Sequence, residues 1–230
     1  MYKYDTHVHT YECSLCGVTT AREMVRKYAD AGYSGFVITN HFYGGNTRID
    51  RSLSWGDFVR PFWDCYLEAK DEGEKIGFDV IFGIEEGVGN WKEWLIYNID
   101  IDVLNEMSNF KRMSNEERSK LIHDAGGFIS HAHPYRFRQY MKVCDEPDFS
   151  TVDAVEVYNA HNAGHENERA FKAAQSNGLF MTVGSDNHSA NSLSSPHTAM
   201  LFENRVRTGA ELIEAIKSPS TRYLCDGKLV

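Results

Sequence analysis

Asp5-Thr6-His7-Val8-His9 opens the chain, and Gly184-Ser185-Asp186-Asn187-His188 answers it near the other end. Each run follows or ends a stretch that reads as a buried β-strand, residues 3–7 and 179–183. Working inward, Thr39-Asn40-His41, Gly83-Ile84-Glu85 and Ser130-His131-Ala132-His133-Pro134 repeat the pattern of an apolar run followed by imidazole or carboxylate. This recurrence decides the fold. In an α/β barrel, functional side chains gather at the C-terminal ends of the strands. In an open parallel sheet they converge only at the switch point, which is too small for so many strand ends.

The rest of the chain agrees with a barrel. Strand candidates at residues 3–7, 35–39, 79–83, 95–99, 127–130, 154–158 and 179–183 alternate with helical segments. Several are almost wholly apolar, as expected of parallel strands covered on both faces. Runs at 198–202 and 222–225 add edge pairing. Thr20-Ala21-Arg22-Glu23, Ser114-Asn115-Glu116-Glu117 and Thr208-Gly209-Ala210-Glu211 are capping boxes that start helices. Residues 164–177 read as a helix stopped by Gly178, and residues 58–75 as a longer one. Its aromatic stripe, Phe58, Phe62, Trp63 and Tyr66, is core-facing. No repeat, linker or low-complexity tract interrupts the 230 residues, so residues 1–230 read as one domain.

Composition narrows the function. With 24 basic and 33 acidic residues the formal charge is −9, which disfavours long nucleic acids, whose phosphates are bound by surplus Lys and Arg. No apolar run approaches a membrane span, and the N-terminus lacks the apolar stretch of a signal peptide; the expected location is cytoplasmic. The five cysteines, an odd number, are not a disulfide framework. Cys13-Ser14-Leu15-Cys16 reads as reduced, partly buried thiols, with a ligand role open because His7 and His9 are near.

His7 and His9, two apart on a strand, face the same side and can grip one cation. Asp186 and His188 repeat that spacing. His41 ends an apolar strand. Of Glu85 and Glu86 only one points inward, because side chains alternate; Glu85 is the choice and Glu86 the reserve. A carboxylate can also bridge two metals. His131 and His133 are both candidates. Arg136 suits bidentate phosphate binding. His161, beside Asn159 and Asn162, lies near another strand end. Mixed imidazole and carboxylate donors suit Zn, Mn or Fe.

The order HxH, TNH, GxE, HP and SDxH resembles the PHP (polymerase and histidinol phosphatase) family from Asp5 to His188. Ala132-His133-Pro134-Tyr135-Arg136 is similar to an AHPxR signature of its small bacterial members. The resemblance implies a distorted (β/α)7 barrel holding two or three divalent metals, with phosphoester hydrolysis as the common activity. His7, His9, His41, Glu85, His133, Asp186 and His188 fall on its ligand positions, with Glu85 bridging. His131 does not, and becomes a substrate-side candidate. Three positions depart from the family. Glu12 is the nearest substitute for an acid or His usually found soon after the first motif. Asn40 replaces an Asp. No His stands near Trp94-Leu95-Ile96-Tyr97, which puts the third metal in question.

The expected reaction is attack of a metal-activated hydroxide on a small phosphomonoester. Arg136 would clamp a phosphate oxygen, and His131 or His161 would serve the leaving group. Alternatives are a phosphodiesterase or exonuclease acting on nucleotide ends, a protein-tyrosine phosphatase, and a metal-binding regulatory module without catalysis. The sequence leaves the oligomeric state open.

Overall fold

The computed structural model describes residues 1–141, 145–193 and 197–230. Cys144 lies outside these residues. The elements run in the order β1 (Tyr2–Val8), α1 (Ala21–Asp30), β2 (Gly35–Ile38), α2 (Trp55–Ile76), β3 (Asp79–Gly89), β4 (Lys92–Tyr97), α3 (Ile101–Glu106), α4 (Asn115–Asp124), β5 (Phe128–Ala132), β6 (Ala154–Asn159), α5 (Gly164–Asn177), β7 (Phe180–Gly184), β8 (Ala199–Phe202), α6 (Gly209–Lys217), β9 (Arg222–Cys225) and β10 (Lys228–Leu229). The helix starts follow the predicted caps. Thr20, Ser114 and Thr208 accept from the backbone N–H groups of Glu23, Glu117 and Glu211, and Gly178 ends α5 at φ 64°. The second helix begins earlier than its aromatic stripe suggests, because Ser54 caps it by accepting from Asp57 N–H.

All ten strands join one curled α/β sheet in the order β10-β9-β8-β1-β2-β3-β4-β5-β6-β7. The curl brings β7 back toward β1. Val8 bridges Asn187 in parallel, His9 N–H donates to Asn187 O at 2.9 Å, and Thr6 Oγ1 donates to Val183 O at 2.9 Å. The sheet departs from the all-parallel barrel in two places, and in the first β8, β9 and β10 add antiparallel pairs beyond β1. In the second, β4 runs antiparallel to both β3 and β5. Only Asn90 and Trp91 separate β3 from β4, and a two-residue connection cannot make the crossover that a parallel neighbour needs. β3 therefore extends well past Glu85, and β4 begins at the rim instead of ending there.

Alternation sorts the side chains into two layers. Phe36, Ile38, Val80, Phe82 and Ile84 pack outward with Met24, Val25, Phe58 and Phe62 from α1 and α2. The aromatic stripe of α2 is core, with Phe62 and Phe42 at 5.0 Å and Trp63 and Phe82 at 5.1 Å between ring centroids. Each such ring contributes roughly 2–3 kcal/mol by leaving water. Val37, Ile81, Leu95, Tyr97 and Phe128 form a second cluster with Tyr4. Among the described residues, no helix is long and apolar enough to cross a membrane.

Candidate metal centre

His7 and His9 bring their Nε2 atoms to 3.0 Å from each other. The opposite nitrogen of each ring is engaged. His7 Nδ1 lies 2.8 Å from Glu156 Oε1, so it carries the hydrogen. Ser14 donates its hydroxyl hydrogen to Asn40 Oδ1 at 2.8 Å, so His9 Nδ1, 3.1 Å from Ser14 Oγ, is the donor there. These networks assign both tautomers and leave a lone pair on each Nε2. Two lone pairs facing at that distance repel unless a proton or a cation lies between them.

Glu85 enters the same space from β3, fully buried. Its Oε1 is 3.3 Å from His7 Nε2 and 3.0 Å from His133 Nε2. Its Oε2 is 3.3 Å from His9 Nε2 and 2.8 Å from His41 Nδ1. The last pair is close, yet its geometry is not that of a hydrogen bond, and both atoms are buried without a partner. Two polar atoms held together but aimed past each other fit a common third point. Glu86 turns away and accepts from Gly44 N–H at 2.8 Å; its burial pushes its carboxyl up to about 7. Asp186 closes the group. Its Oδ1 is 3.2 Å from His9 Nε2, 3.4 Å from His7 Nε2 and 3.7 Å from His188 Nε2. β7 can approach this closely because Gly184 has no side chain: a Cβ there would lie 2.5 Å from His7 Cβ.

Among the described residues, four overlapping groups have ligand atoms within 4.8 Å of one another: His9, His41 and His188; His7, His9 and Glu85; His7, His133 and Asp186; His41, Glu85 and Glu93. The seven positions matched to the family therefore meet. Charge shapes the cluster strongly. Burial opposes ionisation of Glu85, but His41 and His7 outweigh it and hold the carboxyl well below its usual range. Burial likewise opposes a charge on His7, but Asp186, Glu156 and Glu85 outweigh it and raise that imidazole well above its usual value. His9 falls well below its usual value through burial and the neighbouring His41.

Glu93 and Glu156 are the acids that motif reading missed. Glu93 lies 3.6 Å from His41 Nδ1 and 3.5 Å from His133 Nε2. It stands opposite Gly87 at the start of β4, so its signal was the tight Asn90-Trp91 turn, which delivers that strand's first residues to the rim. Glu156 is wholly buried. Besides His7, it accepts from His133 N–H at 2.9 Å and Asn159 Nδ2 at 3.0 Å, orienting two histidines at once. A buried Glu inside an apolar strand was the available signal.

Other candidates fall elsewhere. Glu12 accepts from Ala21 N–H at 2.9 Å and belongs to none of the four groups; it satisfies the start of α1. His131 does not reach the cluster. Its ring packs on Phe149 at 5.6 Å between centroids, and burial lowers its imidazole to about 3. β-alternation puts it opposite the inward Ser130, whose hydroxyl meets Thr182 Oγ1 at 2.7 Å. His133 reaches the cluster only because the strand ends at Ala132 and its own φ is +27°. Asn40 does not support His41; it accepts from Thr10 N–H at 2.7 Å and from Ser14. Arg136 Nη2 donates to Asp186 Oδ2 and Asn159 Oδ1, both at 2.7 Å. His161 sits at the exposed edge, its ring 6.1 Å from that of His188.

A cleft of about 760 Å³ takes in His41, Glu93, His133, Arg136 and His188. Cys16 also lines it. Burial raises that thiol, but hydrogen bonds with His188 and His41 prevail and bring it down to about 6.

Residues 164–221 match the family model described as PHP-associated. No curated protein matches the chain by sequence. Among solved structures, the fold is similar to that of a two-domain protein from Bacteroides vulgatus containing a predicted PHP-like metal-dependent phosphoesterase, with TM-score 0.72 and 17% identity over 99% of this chain and 66% of that one. It is similar to a candidate metal-dependent phosphoesterase from Bifidobacterium adolescentis, with TM-score 0.58 and 16% identity over 93% of this chain and 95% of that one. It is also similar to a lesion-specific endonuclease from Pyrococcus furiosus, with TM-score 0.61 and 14% identity over 97% of this chain and 57% of that one. The chain thus spans less than two thirds of the first and third of these proteins. The PHP-associated match and the PHP-like neighbours agree with the resemblance that the five ordered motifs carry.

Proposed function

We propose that the chain is a metal-dependent phosphoesterase acting on a small phosphomonoester, with residues 1–230 working as one hydrolase domain. The observation that carries this reading is the Glu85 carboxylate, buried among four imidazoles with Oε2 and His41 Nδ1 left unpartnered. Such a donor set fits two or three divalent cations, Zn, Mn or Fe. His7, His9, His41, Glu85, Glu93, His133, Asp186 and His188 would hold them. Bound divalent metal supplies Lewis acidity and a water of lowered pKa.

The protein's own groups prepare that chemistry. Glu85 presents Oε1 to His7 and His133 and Oε2 to His9 and His41, so each of its oxygens could share a cation with a different pair of imidazoles. Glu156 and Ser14 fix which nitrogens of His7 and His9 remain free. Arg136, held by Asp186, Asn159 and Asn162, lines the cleft as a planar donor for a phosphate oxygen. His161 is the remaining candidate for the leaving group. Desolvation lowers its imidazole, so the protonated ring that a leaving alkoxide needs forms at a lower pH. The acidic balance of the chain supports a small substrate over a polymer.

The test removes metal with a chelator, reloads the protein with Mn or Zn, and measures metal content and hydrolysis of a panel of phosphomonoesters. Activity should vanish and return with metal. Equal rates in both forms would refute the proposal. Retained metal without hydrolysis would identify a binding module instead.

A further inference from the structure

We infer that Trp91 and Tyr140 form a stacking subsite at the cleft for a planar aromatic group joined to the phosphate. This rests on the phosphoesterase reading and specifies its substrate class. The observations begin at the β3–β4 hairpin. Gly89 pairs with Lys92, so Asn90 and Trp91 are the whole turn. Their φ angles are +50° and +62°. A two-residue turn with both central φ positive favours Asn followed by Gly. Here a Trp stands in the Gly position, in a backbone region that bulky residues avoid. Its indole is also 52% exposed. The chain thus accepts backbone strain and an exposed indole at one residue, which is the pattern of a functional site.

Tyr140 shares this surface. It is 64% exposed, and its ring lies 5.5 Å from that of Trp91 at 64°. Asn90 Nδ2 donates to the Asp145 carboxylate, which ties the turn to the chain just beyond Tyr140. Both rings line the cleft that takes in His41, His133, Arg136 and His188. One part of the cleft is therefore cationic and imidazole-rich, and another is aromatic. At about 760 Å³ it matches a whole small ligand and far exceeds a phosphate group. An aliphatic phosphate would leave both rings in water. A nucleobase or aryl ring would cover them, because any planar π-face can stack on Trp or Tyr. A nucleoside monophosphate and an aryl phosphate share this chemistry.

Binding is measured on the metal-loaded protein with non-hydrolysable phosphonate analogues of adenosine monophosphate, phenyl phosphate and glycerol 3-phosphate. Turnover of the three phosphates is measured separately. Trp91→Ala and Tyr140→Ala should each lower affinity for the aromatic analogues, relative to the glycerol analogue, by about 5- to 150-fold, the range for loss of one base stack. Trp91→Phe should restore most of it. Trp91→Gly, which relieves the backbone, should melt no lower than the parent and still lose the preference. Loss confined to the adenosine analogue identifies a nucleobase, and loss confined to the phenyl analogue an aryl group; either supports the subsite. Equal affinities for all three analogues, or substitutions that shift all three alike, overturn it. Turnover without aromatic preference removes the subsite and leaves the phosphoesterase reading. Trp91-dependent binding without turnover does the reverse.

Discussion

At the N-terminal ends of the strands, Asp79 accepts from Tyr4 Oη at 2.7 Å and from Arg205 Nε and Nη2 at 2.6 and 3.0 Å. Tyr4 Oη in turn accepts from Val206 N–H at 2.9 Å. At the C-terminal ends, Glu85 lies among His7, His9, His41 and His133 with one oxygen unpartnered. Both acids are buried. They differ in stoichiometry. The first has a donor for each oxygen and a guanidinium to balance its charge, so it stabilises the fold. The second sits in a surplus of acceptors that only protons or cations can settle. Polar atoms at the two ends therefore serve opposite purposes, and mutation should separate them.

The largest effect is expected from Glu85→Ala. Hydrolysis should fall to the uncatalysed background and bound metal should drop, read by elemental analysis. A metal that binds the native protein stabilises it by about 2.7 kcal/mol at a hundredfold excess over Kd, roughly 5–10 °C for a chain of this size. That rise in melting temperature should be absent in the variant; an undiminished rise would place the metal elsewhere. Asp79→Ala tests the other end. It leaves Tyr4 and Arg205 without their acceptor and should cost about 3 kcal/mol in denaturant titrations. Activity per folded molecule should be retained, and a loss of turnover without a loss of stability would erase the contrast.

His131 sharpens the comparison through pH. Its imidazole is lowered to about 3 by burial, against an unfolded value near 6.5. The unfolded chain thus takes up this proton first, and stability falls as pH drops from about 6.5 toward 3. Between pH 7 and pH 5 the loss is about 2 kcal/mol. In His131→Gln that part of the slope should disappear from urea titrations; an unchanged slope would mean that the ring is solvated. The smallest effect is expected from Glu12→Ala. Loss of a carboxylate at the start of α1 should cost about 1 kcal/mol and leave metal content unchanged, whereas lost metal would return Glu12 to the site.

Much of this was legible in order along the chain. His7, His9, His41, Glu85, His133, Asp186 and His188 each end or punctuate an apolar strand, and alternation lets only one of Glu85 and Glu86 point inward. The misreadings share a cause, which is that alternation holds only while a strand continues. His131 and His133 look equivalent by spacing, but β5 stops between them and only the second ring swings inward. Glu93 carries no signal if β4 is one more parallel strand, which puts its last residues at the rim; the antiparallel β4 puts its first residues there. Glu156 carries no motif at all; its role exists only because β6 lies across the curl from β1.

The sequence by itself determined the strand periodicity, the helix caps and the identity of the donor atoms, because these depend on neighbours a few residues away. Only the tertiary structure decided which donors meet. The antiparallel placement of β4, the return of β7 to β1 and the close approach past Gly184 are long-range events. They bring His7 within hydrogen-bonding distance of Glu156, 149 residues away, and local sequence carries no record of such a distance.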